Sequence, residues 1–273
     1  MSSGPGGPGG GSAPRRRLSA RARTRLEFVA TTVIVLALWE ASPLMGMKDF
    51  ILPPPHQIVR KFLAIYPSVF YHSWITLVES VLGFALAFLG GFPLAIGIVH
   101  WRFMEKTVYP YVVAVRLIPV ISIAPLMVIW FGIGMTPKVV VSALVAFFPI
   151  VVNSVVGLRS GAVEALKLMR SLKATPGQIF WKIRLYASLP YLFSALRVSA
   201  TLAVIGAIVG EFVGGSDKGL GAMMLQAQAF LYTDTLFVGV VFSAILGLLL
   251  FGAVALVERR VLFWHESVST DNP

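Results

Sequence analysis

Apolar residues fall in long stretches along this chain, near residues 27–45, 74–99, 108–132, 138–158, 190–213 and 236–257. A helix that crosses about 30 Å of hydrocarbon needs about 20 mostly apolar residues, so each stretch predicts one transmembrane helix. The first is the shortest, cut by Glu40 and Pro43. The third carries Pro119 and Pro125 and the fourth Pro149. Lipid-embedded helices tolerate such breaks where neighbouring helices satisfy the freed carbonyls.

Composition agrees with this pattern. The chain is 57% hydrophobic and 13% charged, with a mean hydropathy of +0.82, whereas a soluble globule carries about a quarter charged residues. An all-α membrane protein follows. The net charge of +11 does not point to nucleic acid, because the basic residues lie in short segments between spans, as in loops held against an anionic membrane face. The absence of cysteine removes disulfides, thiolate metal sites and cysteine nucleophiles.

Lys and Arg also set the orientation. With the N-terminus inside, the inner segments hold 16 of them, in residues 15–25, at Arg102 and Lys106, at six positions from Arg159 to Arg184, and at Arg259 and Arg260. The outer segments hold 5: Lys48, Arg60, Lys61, Lys138 and Lys218. Both termini are therefore expected in the cytoplasm. Residues 1–26 read as a disordered Gly/Pro/Arg-rich tail, 27–265 as the transmembrane domain and 266–273 as a C-terminal tail. No small-residue cleavage site follows Phe28–Trp39, so the basic segment before it reads as an anchor, not a signal peptide.

One inner loop, residues 162–188, is too long for a simple connection. Ala162–Leu172 predicts a short helix with Leu166, Met169 and Leu172 on one face and Lys167, Arg170 and Lys173 in a second stripe. Thr175, Pro176 and Gln178 form a capping-box start for a second helix, which carries Ile179, Phe180, Trp181 and Ile183 up to Leu189–Pro190. The elbow so formed serves either as an amphipathic surface on lipid headgroups or as a docking knob for a cytoplasmic protein.

The segment Leu168-Met-Arg-Ser-Leu-Lys-Ala-Thr175, followed by Ile183-Arg-Leu-Tyr-Ala-Ser-Leu-Pro-Tyr191, resembles the "EAA" loop of binding-protein-dependent ABC transporter permeases. Leu52-Pro-Pro-Pro-His-Gln57, Pro125-Leu126, Trp130-Phe-Gly-Ile-Gly134, Phe148-Pro-Ile-Val-Val-Asn153, Leu196-Arg197, Gly210-Glu-Phe212 and Gly219-Leu-Gly221 extend the resemblance to the nitrate/sulfonate/taurine-type permeases over residues 50–265. Three positions depart from the family pattern. Its EAA glutamate falls on Lys167, its turn glycine on Lys173, and its Leu-Pro on Leu185-Tyr186. Lysine adopts glycine's left-handed turn only at a cost.

The resemblance implies a six-transmembrane type I ABC importer permease bundle with a cytoplasmic coupling helix, in a bacterial plasma (inner) membrane. It implies that Glu164, Lys167, Leu168, Met169, Arg170, Ser171, Leu172, Lys173, Ala174, Thr175 and Gly177 couple to a nucleotide-binding ATPase subunit. The implied partners include an extracytoplasmic solute-binding protein and a second permease copy, most simply a homodimer. The implied solute is small and polar or anionic: nitrate, a sulfonate, taurine or a pyrimidine precursor of thiamine. Ala203–Val213 is most similar to the pyrimidine-precursor branch.

Ionisable groups inside spans cost several kcal/mol unless paired or hydrated, which makes each a functional candidate. Glu79, Arg116, Asn153 and Glu211 are the candidates for the translocation path. The structural alternatives are a Glu79–Arg116 pair, an interhelical hydrogen bond from Asn153, and a Glu211 wetted at the outer interface.

No catalytic motif accompanies them. No Gly precedes a Lys anywhere in the chain, so there is no P-loop. The expectation is a transport subunit without cofactor, its ATP bound by the partner. His56, His72, His100 and His265 are too scattered for a metal site. A gradient-driven transporter would show inverted repeats, and a channel a filter or charged ring; the sequence shows neither.

Overall fold

The computed structural model describes residues 20–48, 50–161, 163–215 and 217–263. The Gly4–Gly11 stretch, Arg15–Arg17 and the 266–273 tail lie outside these residues, as do the side chains of Val163 and Glu164. Every regular element among the described residues is helical. The chain groups into two units, Met1–His56 and Gln57–Pro273.

The first unit holds α1 (Ala20–Glu40) and a short 3₁₀ turn (Ser42–Met45). Its chain closes back on the first residues of α2 (Pro55–His100). Trp39 Nε1 donates to Pro53 O at 3.1 Å, and the Glu40 carboxylate accepts from the His56 backbone N–H at 3.3 Å while pairing with the His56 ring. A carboxylate at that point answers the unpaired N–H groups of a helix start. Helix α1 begins at Ala20, inside the segment expected as tail.

The second unit continues α2 and adds α3 (Arg102–Val115), α4 (Val120–Phe131), α5 (Met135–Arg159), α6 (Val163–Ser171), α7 (Pro176–Ile179), α8 (Leu185–Val213), α9 (Leu220–Ala229) and α10 (Thr233–Val261). Four helical stretches are long and apolar enough to cross a membrane: α2, α5, the continuous run from α7 through α8, and α10. The pair α3 and α4, bent by 100°, makes a fifth if counted as one span. The expected first span falls short, because every eighteen-residue window of α1 contains Arg23, Arg25 and Glu27. The expected third span breaks at Arg116–Pro119 and runs unbroken through Pro125. The second starts far upstream of residue 74: α2 is 46 residues long, about 69 Å at 1.5 Å per residue, so it must project well beyond the hydrocarbon.

Helix α8 is the centre of the bundle, with 56% of its apolar window buried, against 11% for the peripheral α10. The antiparallel pair α5 and α8 packs nearly backbone to backbone. A Cβ at Gly206 would lie 2.7 Å from Ser142 Cα, and one at Gly210 would lie 2.8 Å from Lys138 Cα. Small residues allow this approach, and hydroxyls then reach across it. Ser142 Oγ donates to Ala203 O and Ser199 Oγ to Ala146 O, both at 2.8 Å. Ala87, Ile150, Leu192 and Phe193 fill the core where α2 meets this pair.

Candidate functional site

The bundle carries two sites with chemical content: a buried polar knot and the elbow between α5 and α8.

The knot forms where the Gly206–Gly210 approach brings α5 against α8. Glu79, Lys138 and Glu211 are each at most 2% exposed. Lys138 Nζ lies 3.1 Å from Glu79 Oε1 and donates to Lys218 O at 2.8 Å. Glu211 Oε1 accepts from Thr76 Oγ1 at 2.6 Å, and Oε2 from the Gly221 N–H at 2.5 Å. The Leu220 N–H donates to Thr76 Oγ1 at 2.8 Å and the Gly219 N–H to His72 Nδ1 at 3.1 Å. The first N–H groups of α9, which have no partner inside the helix, are thus capped by side chains of α2 and α8. Two carboxylates face one ammonium, and the positive end of α9 offsets part of the excess.

Gly219 is required here twice. Its φ is +111°, and a Cβ would collide with the Glu211 carboxylate. Two motifs that look separate along the chain, Gly210-Glu-Phe212 and Gly219-Leu-Gly221, are therefore one contact. A cavity of about 580 Å³ opens beside the knot, walled by Tyr71, Ile75, Glu79, Lys138, Asp217 and Lys218.

Of the in-span candidates, Glu79 and Glu211 meet in the knot; Arg116 and Asn153 do not. Glu79 pairs with Lys138, not with Arg116, which is exposed at the break between α3 and α4. Glu211 is buried rather than wetted, because α9 folds over it. Asn153 is exposed and bonds within its own helix, Nδ2 to Pro149 O at 2.9 Å. The charge pattern places Lys138 in an outer segment, but helix α5 begins before it at Met135. The signal that could have found it is a lysine entering an apolar run straight after Pro137.

The elbow folds from local rules. Helix α6 ends in a paired C-terminal closure: the Ala174 N–H reaches Met169 O and the Lys173 N–H reaches Arg170 O, each at 3.0 Å. This closure places its middle residue in the left-handed region, normally glycine, and Lys173 stands there with φ +55°. The turn is made, and the lysine bears its steric cost. Thr175 and Gln178 complete the capping box, the Gln178 N–H donating to Thr175 Oγ1 at 3.3 Å and the Thr175 N–H to Gln178 Oε1 at 2.9 Å. A widened π turn, Phe180–Arg184, then joins α7 directly to α8, so Pro190 lies inside a helix rather than at its start. Such turns relax the helical ladder locally and recur at functional sites.

Gly161 lies where Ile183 and Leu166 converge, so Leu166 faces the bundle. Leu172, expected on the same face, is 68% exposed, as is Leu168 at 61%. With Lys167, Arg170 and Lys173 also exposed, the elbow presents two leucines among three cations.

Residues 81–263 match the family described as the binding-protein-dependent transport system inner membrane component. The riboflavin transport system permease protein RibX of Chloroflexus aurantiacus is 35% identical, over 93% of this chain and 98% of its own length. The formylaminopyrimidine transport permease protein ThiX of Halalkalibacterium halodurans is 34% identical, over 90% and 98%. Among solved structures, a chain of the MetNI methionine ABC transporter in an inward-facing conformation superposes with a TM-score of 0.63 at 23% identity, over 72% of this chain and 98% of that one. That likeness establishes a shared type I importer permease fold.

Proposed function

This chain belongs to the family of binding-protein-dependent transport system inner membrane components, the membrane permeases of ABC importers, and on that premise we propose that it couples to a separate ATPase subunit through residues 163–184. The observation that carries this reading is the elbow's exposed surface. Leu168 and Leu172 stand one helical turn apart in a ring of Lys167, Arg170 and Lys173, an apolar anchor with a charged rim of the kind a docked protein buries. ATP binding on the partner moves the elbow, and the π turn passes that motion into α8, the buried centre of the bundle. The elbow faces the cytoplasm, a side supported by the excess of Lys and Arg in the segments it shares.

The translocation path forms between two permease copies, with Glu79 and Glu211 holding α2, α5, α8 and α9 in register at its side. An extracytoplasmic binding protein delivers the solute. A nitrogen heterocycle is the solute class best supported, since the relatives at 35% and 34% identity are named for riboflavin and formylaminopyrimidine; nitrate, sulfonates and taurine remain the wider class.

Reconstitution tests the reading. Proteoliposomes holding this chain with its ATPase and binding protein should accumulate the solute only with ATP. Accumulation by the chain alone under an ion gradient would replace this reading with secondary transport.

A further inference from the structure

Between the elbow and the end of α2 lies a cavity of about 430 Å³. Val99, Ile179 and Phe180 give it an apolar floor, and His100, Arg170 and Arg184 bring three nitrogen-rich side chains to its wall. Among the described residues no carboxylate lines it, and none of the three basic groups forms an ion pair. Glu105, an acid of the adjoining helix α3, is engaged by Arg159 at 2.9 Å. Positive charge gathered without a counterion among the described residues calls for an anion, and arginine's planar fork matches phosphate oxygens in particular.

The surroundings place this cavity at the level of lipid headgroups. Trp101, 58% exposed, follows His100 directly, and Trp181, 65% exposed, follows Phe180. Each indole packs edge-on against its neighbour's ring at 5.5 Å. Exposed tryptophans mark the membrane–water interface, where a ring lies in lipid and its N–H meets water. An apolar floor beneath a cationic wall fits a molecule with a phosphate at one end and hydrocarbon at the other.

We propose that this cavity binds the phosphate group of an anionic phospholipid, which then ties the elbow to the end of α2. The inference rests on the cytoplasmic placement of the elbow given above; Arg170 and Arg184 also belong to the coupling segment, and lipid retention is therefore read on the chain without its ATPase, so that the two readings fail separately.

The test uses the full chain purified in phosphatidylcholine-doped micelles. Retained lipid is counted by native mass spectrometry, and stability is followed by tryptophan fluorescence. Phosphatidylglycerol should be retained in preference to phosphatidylcholine and should raise the melting temperature. Arg170→Gln/Arg184→Gln should lose the preference and most of the rise, and His100→Gln part of both. Arg102→Gln/Lys106→Gln, basic groups off the cavity wall, should keep both. An equal loss in that control pair would mean diffuse surface attraction and would overturn the site. A melting shift from inorganic phosphate alone, as large as that from the lipid, would overturn the lipid assignment. Unchanged lipid preference in the arginine variants, with their melting in phosphatidylcholine alone intact, would leave the cavity to an acidic partner segment and sink the proposal.

Discussion

Replacing Lys138 with methionine removes the only cation from a buried knot that holds two carboxylates. Glu79 loses a partner at 3.1 Å and Lys218 O a donor at 2.8 Å. Removing one member of a buried ion pair costs about 3–5 kcal/mol, because the other charge stays in low dielectric. The lost carbonyl bond adds about 1 kcal/mol. For chains of 150–250 residues each kcal/mol moves the melting temperature by about 2–4 °C, so the combined loss of about 4–6 kcal/mol predicts a fall of about 8–24 °C. Melting of the purified chain in detergent can be read from its six tryptophans. The diagnostic is the double variant Lys138→Met/Glu79→Leu. Replacing both charges with apolar groups of similar size is often neutral, so the double variant should melt nearer the parent than either single one does. A Lys138→Met fall under about 2 °C, or strictly additive losses in the double variant, would refute the knot as a coupled unit.

Three further outcomes follow from the same geometry. Gly219→Ala should cost about 1–3 kcal/mol, from strain at φ +111° and displacement of the Glu211 carboxylate, read as faster amide exchange at Leu220–Ala222. Lys173→Gly should stabilise the elbow by about 1 kcal/mol, seen as slower exchange at Ala174. Thr175→Ala removes the cap on α7 and should cost about 0.5–2 kcal/mol, confined to exchange at Gly177 and Gln178.

Local chemistry made the elbow legible. A capping box and a helix C-terminus depend on residues within one or two turns, so Thr175, Pro176 and Gln178 announced a helix start that the structure contains. Apolar stretches likewise marked α2, α5, α8 and α10, since lipid imposes the same requirement on every spanning helix. The knot was not legible, because its contacts join positions 76, 79, 138, 211 and 219–221, whose proximity depends on how the Gly206–Gly210 face seats against α5. Lys138 looked like a loop charge because it borders the apolar run, whereas α5 starts three residues earlier at Met135. The bend between α3 and α4 was half legible, since Pro119 signalled a break but nothing in the chain gives its 100° angle.

The most direct test of the central claim, that this permease draws on ATP hydrolysed by a partner through its elbow, is ATPase activity of the assembled importer with its binding protein. Lys167→Glu/Lys173→Glu reverses two exposed charges that lie off the lipid cavity's wall. Solute-stimulated hydrolysis should be abolished while the variant permease retains the parent melting temperature. Stimulation at the parent level would contradict coupling through this surface.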